Sequence, residues 1–476
     1  MSNVIRTTKK DIVWNYMAIF FNMGAGVIVL PIILHFLNAE EIGLYYLMLT
    51  ISSMVALIDF GFAPQIGRNI TYALSGAKHI EREGLHELPN SEPNYRLLAI
   101  VIGAAKFIYR RLSIVVSVIM LTLGTFYIHH VTHGFLDVDY SLWIWLVFCF
   151  TNFFNIYFIY YRSLLTGSGK IYESSVSMIL SKGVYILVCF IMLAMGCGLF
   201  SVVVANMLEL FTRVFYSHVK FYTPHIKSSL PIGFKKQEIR NAINSIWYNA
   251  KKLGINSLGS FAILKLNLFL IGLFLPLHIV GAFGVLTQVV QTLSSVASAM
   301  FHSFVPQISS LQVRHNNQEI IKIMSFSTVL FWITILLSGV LAIIVLPPLL
   351  SFIHSTIELP DRIICLTYLI VMALEGNHSN FATVIATSNK VPFVAAGLTA
   401  GALIAIFTYL SLCFTNLGLY GVVLVQGIVQ LSYNNWKWPA YVLNDLDCDT
   451  RTFIKTGFVE LINYIKYAKN NIGRLF

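Results

Sequence analysis

The sequence predicts an all-α polytopic membrane protein with about twelve transmembrane helices in two six-helix lobes. Three observations predict this fold: an apolar composition, a series of long apolar runs, and an internal repeat. Of the 476 residues, 57% are hydrophobic and 11% are charged, whereas an ordinary soluble domain carries roughly 25% charged residues. A soluble protein so poor in charge could not cover its surface with polar groups. The composition therefore excludes soluble enzymes and disordered chains.

Apolar runs long enough to cross a bilayer follow one another along the chain. A spanning helix needs about 20 apolar residues, and polar residues or Gly and Pro separate the runs. The first run is too long for a cleavable signal peptide, and the second and eighth are expected to project into the cytoplasm. The predicted spans are Ile12–Leu34, Gly43–Leu74, Leu112–Val131, Leu142–Leu165, Ser174–Met195, Phe200–Tyr222, Leu253–Leu275, Ala282–Leu311, Ser325–Leu346, Ile363–Thr387, Pro392–Thr415 and Leu419–Tyr441.

Lysine and arginine are concentrated in the loops of one side of this topology. Arg362 is the only clear basic residue in the opposite loops. The positive-inside rule therefore places both termini in the cytoplasm, together with the long loops Ser75–Arg111 and Thr223–Lys252. The net charge of +11 follows from this topology, and nucleic-acid binding is not expected.

An internal repeat relates the two halves of the chain. Thr50–Ile66 reads TISSMVALIDFGFAPQI and Thr292–Ile308 reads TLSSVASAMFHSFVPQI, so Thr, Ser-Ser, Phe and Pro-Gln-Ile recur in one ungapped register. The two segments fall in the second and the eighth span, which predicts parallel repeats that superpose within their lobes. The predicted domains are an N-terminal lobe at 1–222, a basic cytoplasmic linker at 223–252, a C-terminal lobe at 253–443 and a cytoplasmic amphipathic tail at 444–476.

The tail places apolar residues at helical spacing, with most of its basic residues off that stripe. Two arrangements fit this pattern equally well. The helix lies on the anionic inner leaflet, or it docks on the transmembrane bundle.

Catalytic and metal-binding motifs are missing from the sequence. Lys170 follows a Gly-Ser-Gly turn without P-loop spacing. His129 and His133 share a helix face but read as an interfacial pair, since no acidic third ligand is apparent. No enzyme activity, no metal and no cofactor are therefore expected.

Ionisable residues inside the spans are the candidate functional residues, because a charge at the bilayer centre costs about 2.5–3.5 kcal/mol. Glu209, Lys265 and Glu375 fall near the predicted midplane. Asp59, Lys182 and Arg213 fall in the cytoplasmic half. Arg68 and Arg162 lie near the cytoplasmic interface, where snorkelling accounts for them. All eight are predicted substrate-cavity residues.

Each of these charges also has a structural interpretation. Lys265 either contacts an anionic substrate or forms an ion pair with Glu209 or Glu375. Glu209 and Arg213 have the i, i+4 spacing of a pair along one helix.

Asp59 precedes Phe60-Gly61 and Pro64, which predicts a kinked or partly unwound span of the kind that forms transporter sites. Alternatively, Asp59 is a carboxylate bonded to the backbone at a helix bend. Amides within the spans, with Tyr157, Tyr160 and Tyr161, fit either a wet carbohydrate-binding cavity or hydrogen bonds between helices.

The first two spans resemble a known family. The span Asn15–Leu34, the turn Ala39–Tyr45 (AEEIGLY) and the run Leu57–Gly61 (LIDFG) followed by Arg68-Asn69-Ile70 resemble bacterial O-antigen and capsule polysaccharide flippases of the Wzx type. These belong to the multidrug/oligosaccharidyl-lipid/polysaccharide exporter superfamily, so the expected fold is similar to that of the MATE transporters and flippases.

The resemblance implies a flippase of lipopolysaccharide or capsule biosynthesis in the bacterial inner membrane. Its substrate would be an oligosaccharide linked to a polyprenyl diphosphate of the undecaprenyl type. Transport would proceed by alternating access between two lobes around a central cavity, with coupling to a proton or sodium gradient as an option. The other implied partners are membrane lipids, a polysaccharide polymerase and a chain-length regulator. The alternative is a cation-coupled multidrug antiporter, because the acidic residues equally suit a cationic drug. A membrane polymerase is disfavoured, since it would need a large outer loop.

Overall fold

The computed structural model describes residues 9–80, 92–231, 233, 236–388 and 392–472. Within these residues the secondary structure is entirely helical. The helices are α1 (Lys9–Phe36), α2 (Ala39–Leu57), α3 (Phe62–Leu74), α4 (Tyr95–Ile119), a π-helical turn (Met120–Gly124), α5 (Thr125–Val131), α6 (Ser141–Tyr157), α7 (Tyr160–Gly167), α8 (Ile171–Ala194), α9 (Phe200–Phe221), α10 (Pro224–Ser229), α11 (Lys236–Leu264), α12 (Leu266–Phe274), α13 (Leu277–Val313), α14 (Asn317–Phe352), α15 (Arg362–Thr387), α16 (Phe393–Phe414), α17 (Leu419–Ser432), α18 (Asn434–Asp445) and α19 (Thr450–Ile472).

The all-α, multi-span prediction is confirmed. Each predicted span lies on its own helix or on a pair of consecutive helices. In the described part of the chain, seven helices are long and apolar enough to cross a membrane, and a pair bent by 44° around Lys265 makes an eighth. Among the remaining spans, α9 carries Glu209 and Arg213, and α15 carries Glu375.

The prediction that Ser75–Arg111 is a loop is wrong for the second part of this segment, because helix α4 begins at Tyr95. The side chain of Asn94 accepts a hydrogen bond from the backbone N–H of Leu97 at 2.9 Å and so caps the helix. The apolar residues that follow, Leu98 among them, are buried. Lys106, Arg110 and Arg111 interrupt the apolar run of the sequence without interrupting the helix. Residues 81–91 of this loop lie outside the described part of the chain.

The predicted linker Thr223–Lys252 is mostly helical. Thr223 caps α10 through its side chain, with Pro224 at the first helical position, as helix N-termini favour. From Lys236 onward the linker is the first part of helix α11, which continues without interruption into the predicted seventh span. Residues 232, 234 and 235 of the linker lie outside the described part.

The chain forms two compact units. Unit 1 comprises Met1–Leu258 with Ile353–Thr356, and unit 2 comprises Gly259–Phe352 with Ile357–Phe476. The division into lobes, linker and tail at the predicted residues stays a prediction.

Helix α3 packs closely on α7 in unit 1. A side chain at Gly167 would collide with the backbone of Gly67, so the two glycines let the helices approach. The hydroxyl of Thr71 donates to the carbonyl of Gly167 at 2.7 Å, and the hydroxyl of Ser163 donates to the carbonyl of Ala63 at 2.8 Å. This crossing fixes the helix that follows Asp59 against the helix that carries Arg162.

Candidate functional site

Unit 1 contains a partly open cavity of about 230 Å³ among α2, α6, α8 and α9. Three of the predicted site residues, Lys182, Glu209 and Arg213, line it together. The remaining lining residues are Tyr45, Met48, Leu49, Ser52, Phe148, Thr151, Asn152, Asn155, Leu199, Val202, Val203, Asn206 and Leu210. We call this space the unit 1 cavity.

Lys182 of α8 and Glu209 of α9 form an ion pair in this cavity. The Nζ atom of Lys182 lies 2.9 Å from Oε1 of Glu209 and 3.0 Å from Oε2. The ammonium also lies 5.1 Å from the ring centroid of Tyr185, within the range of a cation–π contact. Because each charge has a partner, both can lie inside an apolar bundle. The short ion pair of Glu209 is therefore made with the neighbouring helix, while Arg213, its predicted i, i+4 partner, attracts it without forming a short ion pair.

Arg213 instead bonds to a neutral group. Its Nη2 donates to Oδ1 of Asn155 at 2.9 Å. A neutral amide cancels none of the guanidinium charge. With the charges of Lys182 and Glu209 balancing each other, the unit 1 cavity carries a single net positive charge.

Amides and hydroxyls complete the wall of the cavity. Asn152 and Asn206 each donate from Nδ2 to a carbonyl of their own helix, at 3.0 and 2.9 Å. This fixes the side chains with their carbonyl oxygens available as acceptors. Tyr45 is hydrogen-bonded to Tyr185. The wall therefore offers both donors and acceptors next to the positive charge.

Asp59 lies outside this cavity, at the break between α2 and α3. Its Oδ1 accepts from the hydroxyl of Tyr109 at 2.6 Å and from the backbone N–H of Ala63 at 3.1 Å. The second bond satisfies an N–H of the first turn of α3 that has no carbonyl partner within the helix. The structure thus contains the predicted unwound segment, and the carboxylate bonds to the backbone of the bend.

Arg68 and Arg162 are exposed on α3 and α7. Neither lines the unit 1 cavity. Arg162 lies near enough to Arg213 for the two cations to repel each other. Its place beside the cavity adds to the positive potential there.

Lys265 of unit 2 lies at the bend between α11 and α12. Its Nζ donates to Oε1 of Gln291 at 3.0 Å. Within the described residues of unit 2, Lys265 forms no ion pair with Glu375. Its ammonium bonds to a neutral amide instead. Lys265 is half-buried, and within the described part of the chain its ammonium forms a hydrogen bond to an amide and no ion pair.

Glu375 is buried in unit 2. Its Oε2 lies 3.6 Å from Nδ1 of His378 and has no hydrogen-bond partner among the described residues. Nδ1 of His378 donates to Oδ1 of Asn435 at 3.0 Å. Glu375 therefore belongs to a polar cluster with His378 and Asn435.

Several partners of the charged residues have no signal in the sequence. Tyr109, the partner of Asp59, lies in a stretch predicted to be a loop. His378, which lies beside Glu375, belongs to a helix whose polar residues have no sequence signature beyond their position in a span. Contacts between side chains of two different helices, such as Lys182 of α8 with Glu209 of α9, carry no periodicity that could reveal them.

Three solved structures share the fold of this chain. An inward-facing multidrug resistance MATE family transporter of the MOP superfamily aligns with a TM-score of 0.64 and 13% identity, over 92% of this chain and 98% of that chain. The lipid II flippase MurJ, in an inward closed conformation, gives 0.57 and 12% identity over 96% and 93%. An outward-facing MATE transporter gives 0.54 and 14% identity over 93% and 100%. These proteins are transporters and a flippase, not enzymes. At such identities the likeness shows the fold alone.

Sequence comparison supplies the family. No curated protein sequence matches the chain significantly. The family described as "Polysaccharide biosynthesis protein" matches residues 8–312, which is well over half of the chain. The resemblance found in the first two spans is thereby confirmed. The chain is a multi-pass membrane protein that shares the fold of these MATE and MurJ structures, and it belongs to the polysaccharide biosynthesis protein family.

Proposed function

We propose that this protein carries a polyprenyl-diphosphate-linked oligosaccharide, an O-antigen or capsule repeat unit, across the bacterial inner membrane by alternating access. The observation that carries the proposal is the net positive charge of the unit 1 cavity. Arg213 supplies that charge, since its hydrogen-bond partner Asn155 is neutral. The Lys/Arg distribution supports an orientation with both termini in the cytoplasm.

A diphosphate is the ligand that this charge suits best. The guanidinium of arginine presents several N–H donors in a planar fork that matches phosphate oxygens. Because Arg213 uses one bond to Asn155, donors remain for an anion. The ion pair of Lys182 and Glu209 is neutral as a whole and places its ammonium on the cavity wall.

The size of the unit 1 cavity supports binding of part of a substrate. Its volume of about 230 Å³ is below the roughly 300–1,000 Å³ of pockets that hold drug-sized molecules. A diphosphate with an adjoining sugar hydroxyl is compatible with that space. The carbonyl oxygens of Asn152 and Asn206 would accept hydrogen bonds from such hydroxyls.

A cation-coupled multidrug antiporter is the competing function. It is favoured by the similarity to two MATE structures, one of which has the highest TM-score of the three structures compared. A cationic drug, however, would have to enter a cavity that already carries a positive charge. The family match to polysaccharide biosynthesis proteins also favours the oligosaccharide.

Lys265 is the second cation that we assign to transport. In the described residues its ammonium donates a hydrogen bond to the neutral side chain of Gln291, so its charge is available for an anion. Lys265→Ala should abolish export while the protein remains in the membrane, and Lys265→Arg should retain part of it. Recovery of export in a Lys265→Ala, Glu375→Ala double variant would show that Lys265 only balances a buried carboxylate.

The function is tested in the native host and in proteoliposomes. Deletion of the gene should remove the surface polysaccharide and cause the lipid-linked repeat unit to accumulate in the cytoplasm-facing leaflet. In proteoliposomes, the purified chain should move a fluorescent polyprenyl-diphosphate oligosaccharide between leaflets. Arg213→Ala should slow this movement about 10- to 100-fold, because hydrogen bonds to charged groups contribute about 1.5–3 kcal/mol.

A matched control comes from the same helix. Phe215 is exposed on α9, and Phe215→Leu should leave the rate unchanged. Transport of a cationic dye with no movement of the diphosphate substrate would replace the proposed function by the antiporter. Intact surface polysaccharide in the deletion strain would also contradict the proposal.

A further inference from the structure

Helix α19 follows the last span and packs on unit 2 through one face. Asp449 accepts a hydrogen bond from the backbone N–H of Thr452 at 3.0 Å, which caps the helix. Phe453 is buried on this face and contacts Phe381 of α15, with ring centroids 5.9 Å apart. The tail is therefore docked on the bundle, as one of the two sequence interpretations predicted.

Docking on α14 depends on a glycine. Gly457 lies so close to Ser325 and Val329 that any side chain there would collide with them. Further along the helix, Tyr464 meets Phe326 with ring centroids 5.4 Å apart. The docked face thus runs along α19 at helical spacing and holds the helix in a fixed orientation.

A second apolar face of α19 has no partner in the described residues. It consists of large apolar side chains at steps of four, four and three residues, each about half exposed: Ile454, Phe458, Ile462 and Ile465. At 100° per residue these side chains form one strip about 120° around the helix from the docked face. An exposed strip of this kind is unfavourable in water and indicates a binding surface.

Basic side chains border this strip. Lys455 and Lys466 are exposed and lie on the edge of the strip remote from the docked face. Arg451 is exposed at the start of the helix. The one acidic residue of the helix, Glu460, lies on the docked side, where it attracts Lys322 of α14. The free surface of α19 is therefore apolar and cationic with no acidic group in the described residues.

We propose that α19 binds the surface of an anionic membrane, with its apolar strip among the acyl chains and Lys455 and Lys466 at the lipid phosphates. The cationic edge complements anionic headgroups, and the apolar strip is continuous with a lipid-facing surface, because α19 packs against α14, whose own apolar surface is mostly exposed and suits lipid. Apolar side chains beside a lysine edge are the pattern of helices that lie in the headgroup region. The two sequence interpretations then describe two faces of one helix. This inference does not depend on the transported substrate.

The test measures amide hydrogen exchange of the full-length chain in nanodiscs. One set contains phosphatidylglycerol and the other only phosphatidylcholine, each with a single chain per disc. Amides of α19 should exchange more slowly in the anionic discs. Lys455→Gln should reduce this difference about fivefold and the double variant with Lys466→Gln roughly 30-fold, since each basic residue near an anionic surface contributes about 1 kcal/mol.

Two further variants test whether contact with anionic lipid protects the helix. Phe458→Ser should speed exchange of α19 in both kinds of disc, because it removes apolar contact that does not depend on charge. Lys78→Gln removes an exposed charge from unit 1 and should change nothing in α19. Equal exchange in both lipids, unaffected by the lysine variants, would overturn the proposal. Protection that appears only with two chains per disc would assign the strip to a second copy of the chain and would overturn it as well.

Discussion

Thr50–Ile66 and Thr292–Ile308 share a sequence pattern but differ in backbone. The first segment is interrupted, since α2 ends at Leu57 and α3 begins at Phe62. The second lies wholly inside the uninterrupted α13. Thr, Ser-Ser and Pro-Gln-Ile therefore recur at equivalent positions of the two sequences, but the backbone conformation of the two segments differs. Superposition of the two segments within their units stays a prediction.

The interruption in the first segment has a local cause. Phe60 and Gly61 have φ of 48° and 82°, in the left-handed region that a glycine adopts without steric cost. The ring of Phe60 stacks on Trp247 with centroids 5.7 Å apart. Pro64 then occupies the first turn of α3, where its missing N–H costs no hydrogen bond.

The second segment has other residues at the matching places. Phe301 stands where the first segment has Asp59, and Ser303 stands where it has Gly61. Phe301 is 1% exposed in an apolar cluster, and Ser303 bonds back to the carbonyl of Ala299 at 2.9 Å. Pro306 is accommodated inside the helix. One segment thus positions a polar group at a break, and the other adds an aromatic ring to the core.

The largest expected effect is on the core side of this comparison. Phe301→Ala should destabilise the protein by about 3 kcal/mol, because truncation of a buried aromatic ring leaves a cavity. Reversible unfolding of the purified protein in mixed micelles, followed by tryptophan fluorescence, measures the change. Phe301→Leu, which keeps most of the volume, should cost much less. Equal losses for both substitutions would show that Phe301 is not packed as described.

Asp59→Ala should cost about 2 kcal/mol in the same measurement. The variant removes the acceptor of a helix N-terminal N–H and leaves the buried hydroxyl of Tyr109 without a partner. Asp59→Asn keeps an acceptor oxygen and should recover about half of the loss. If Asp59→Asn blocks transport at normal stability, the carboxylate charge serves transport and not only the bend.

Gly61→Ser exchanges the glycine for the residue found in the second segment. It should cost about 1–2 kcal/mol, because a side chain is strained in the left-handed region. The unfolding assay with Gly61→Asn as a companion variant tests the cause, since asparagine tolerates this conformation better. An unchanged or increased stability for Gly61→Ser would mean that the break does not need glycine.

Ser303→Gly is the reciprocal exchange and should have the smallest effect. Glycine within a helix costs about 0.5–1 kcal/mol relative to alanine, and serine is itself a modest helix former. The variant should therefore lower stability by less than about 1 kcal/mol and leave α13 unbroken. Rapid amide exchange confined to the neighbourhood of residue 303 would indicate that glycine alone can open the helix at this place.

Much of the fold follows from hydrophobicity along the chain, because a bilayer demands long apolar helices. The break before Phe62 was predicted from Gly61 and Pro64, which act locally. Apolarity along the chain does not predict the start of α4 at Tyr95, since Lys106 and Arg110 lower the apolarity of a segment that packing keeps helical. The pairing of Lys182 with Glu209 was not predictable, because it depends on how α8 packs on α9.

The central claim is that Arg213 makes the unit 1 cavity a site for a diphosphate. The most direct test measures binding of polyprenyl diphosphate and of the uncharged polyprenol to the purified chain and to Arg213→Gln. The diphosphate should bind more tightly to the unchanged protein than polyprenol does, and Arg213→Gln should remove most of this preference, about 10- to 100-fold. Equal binding of the two lipids, or a preference that survives in Arg213→Gln, would contradict it.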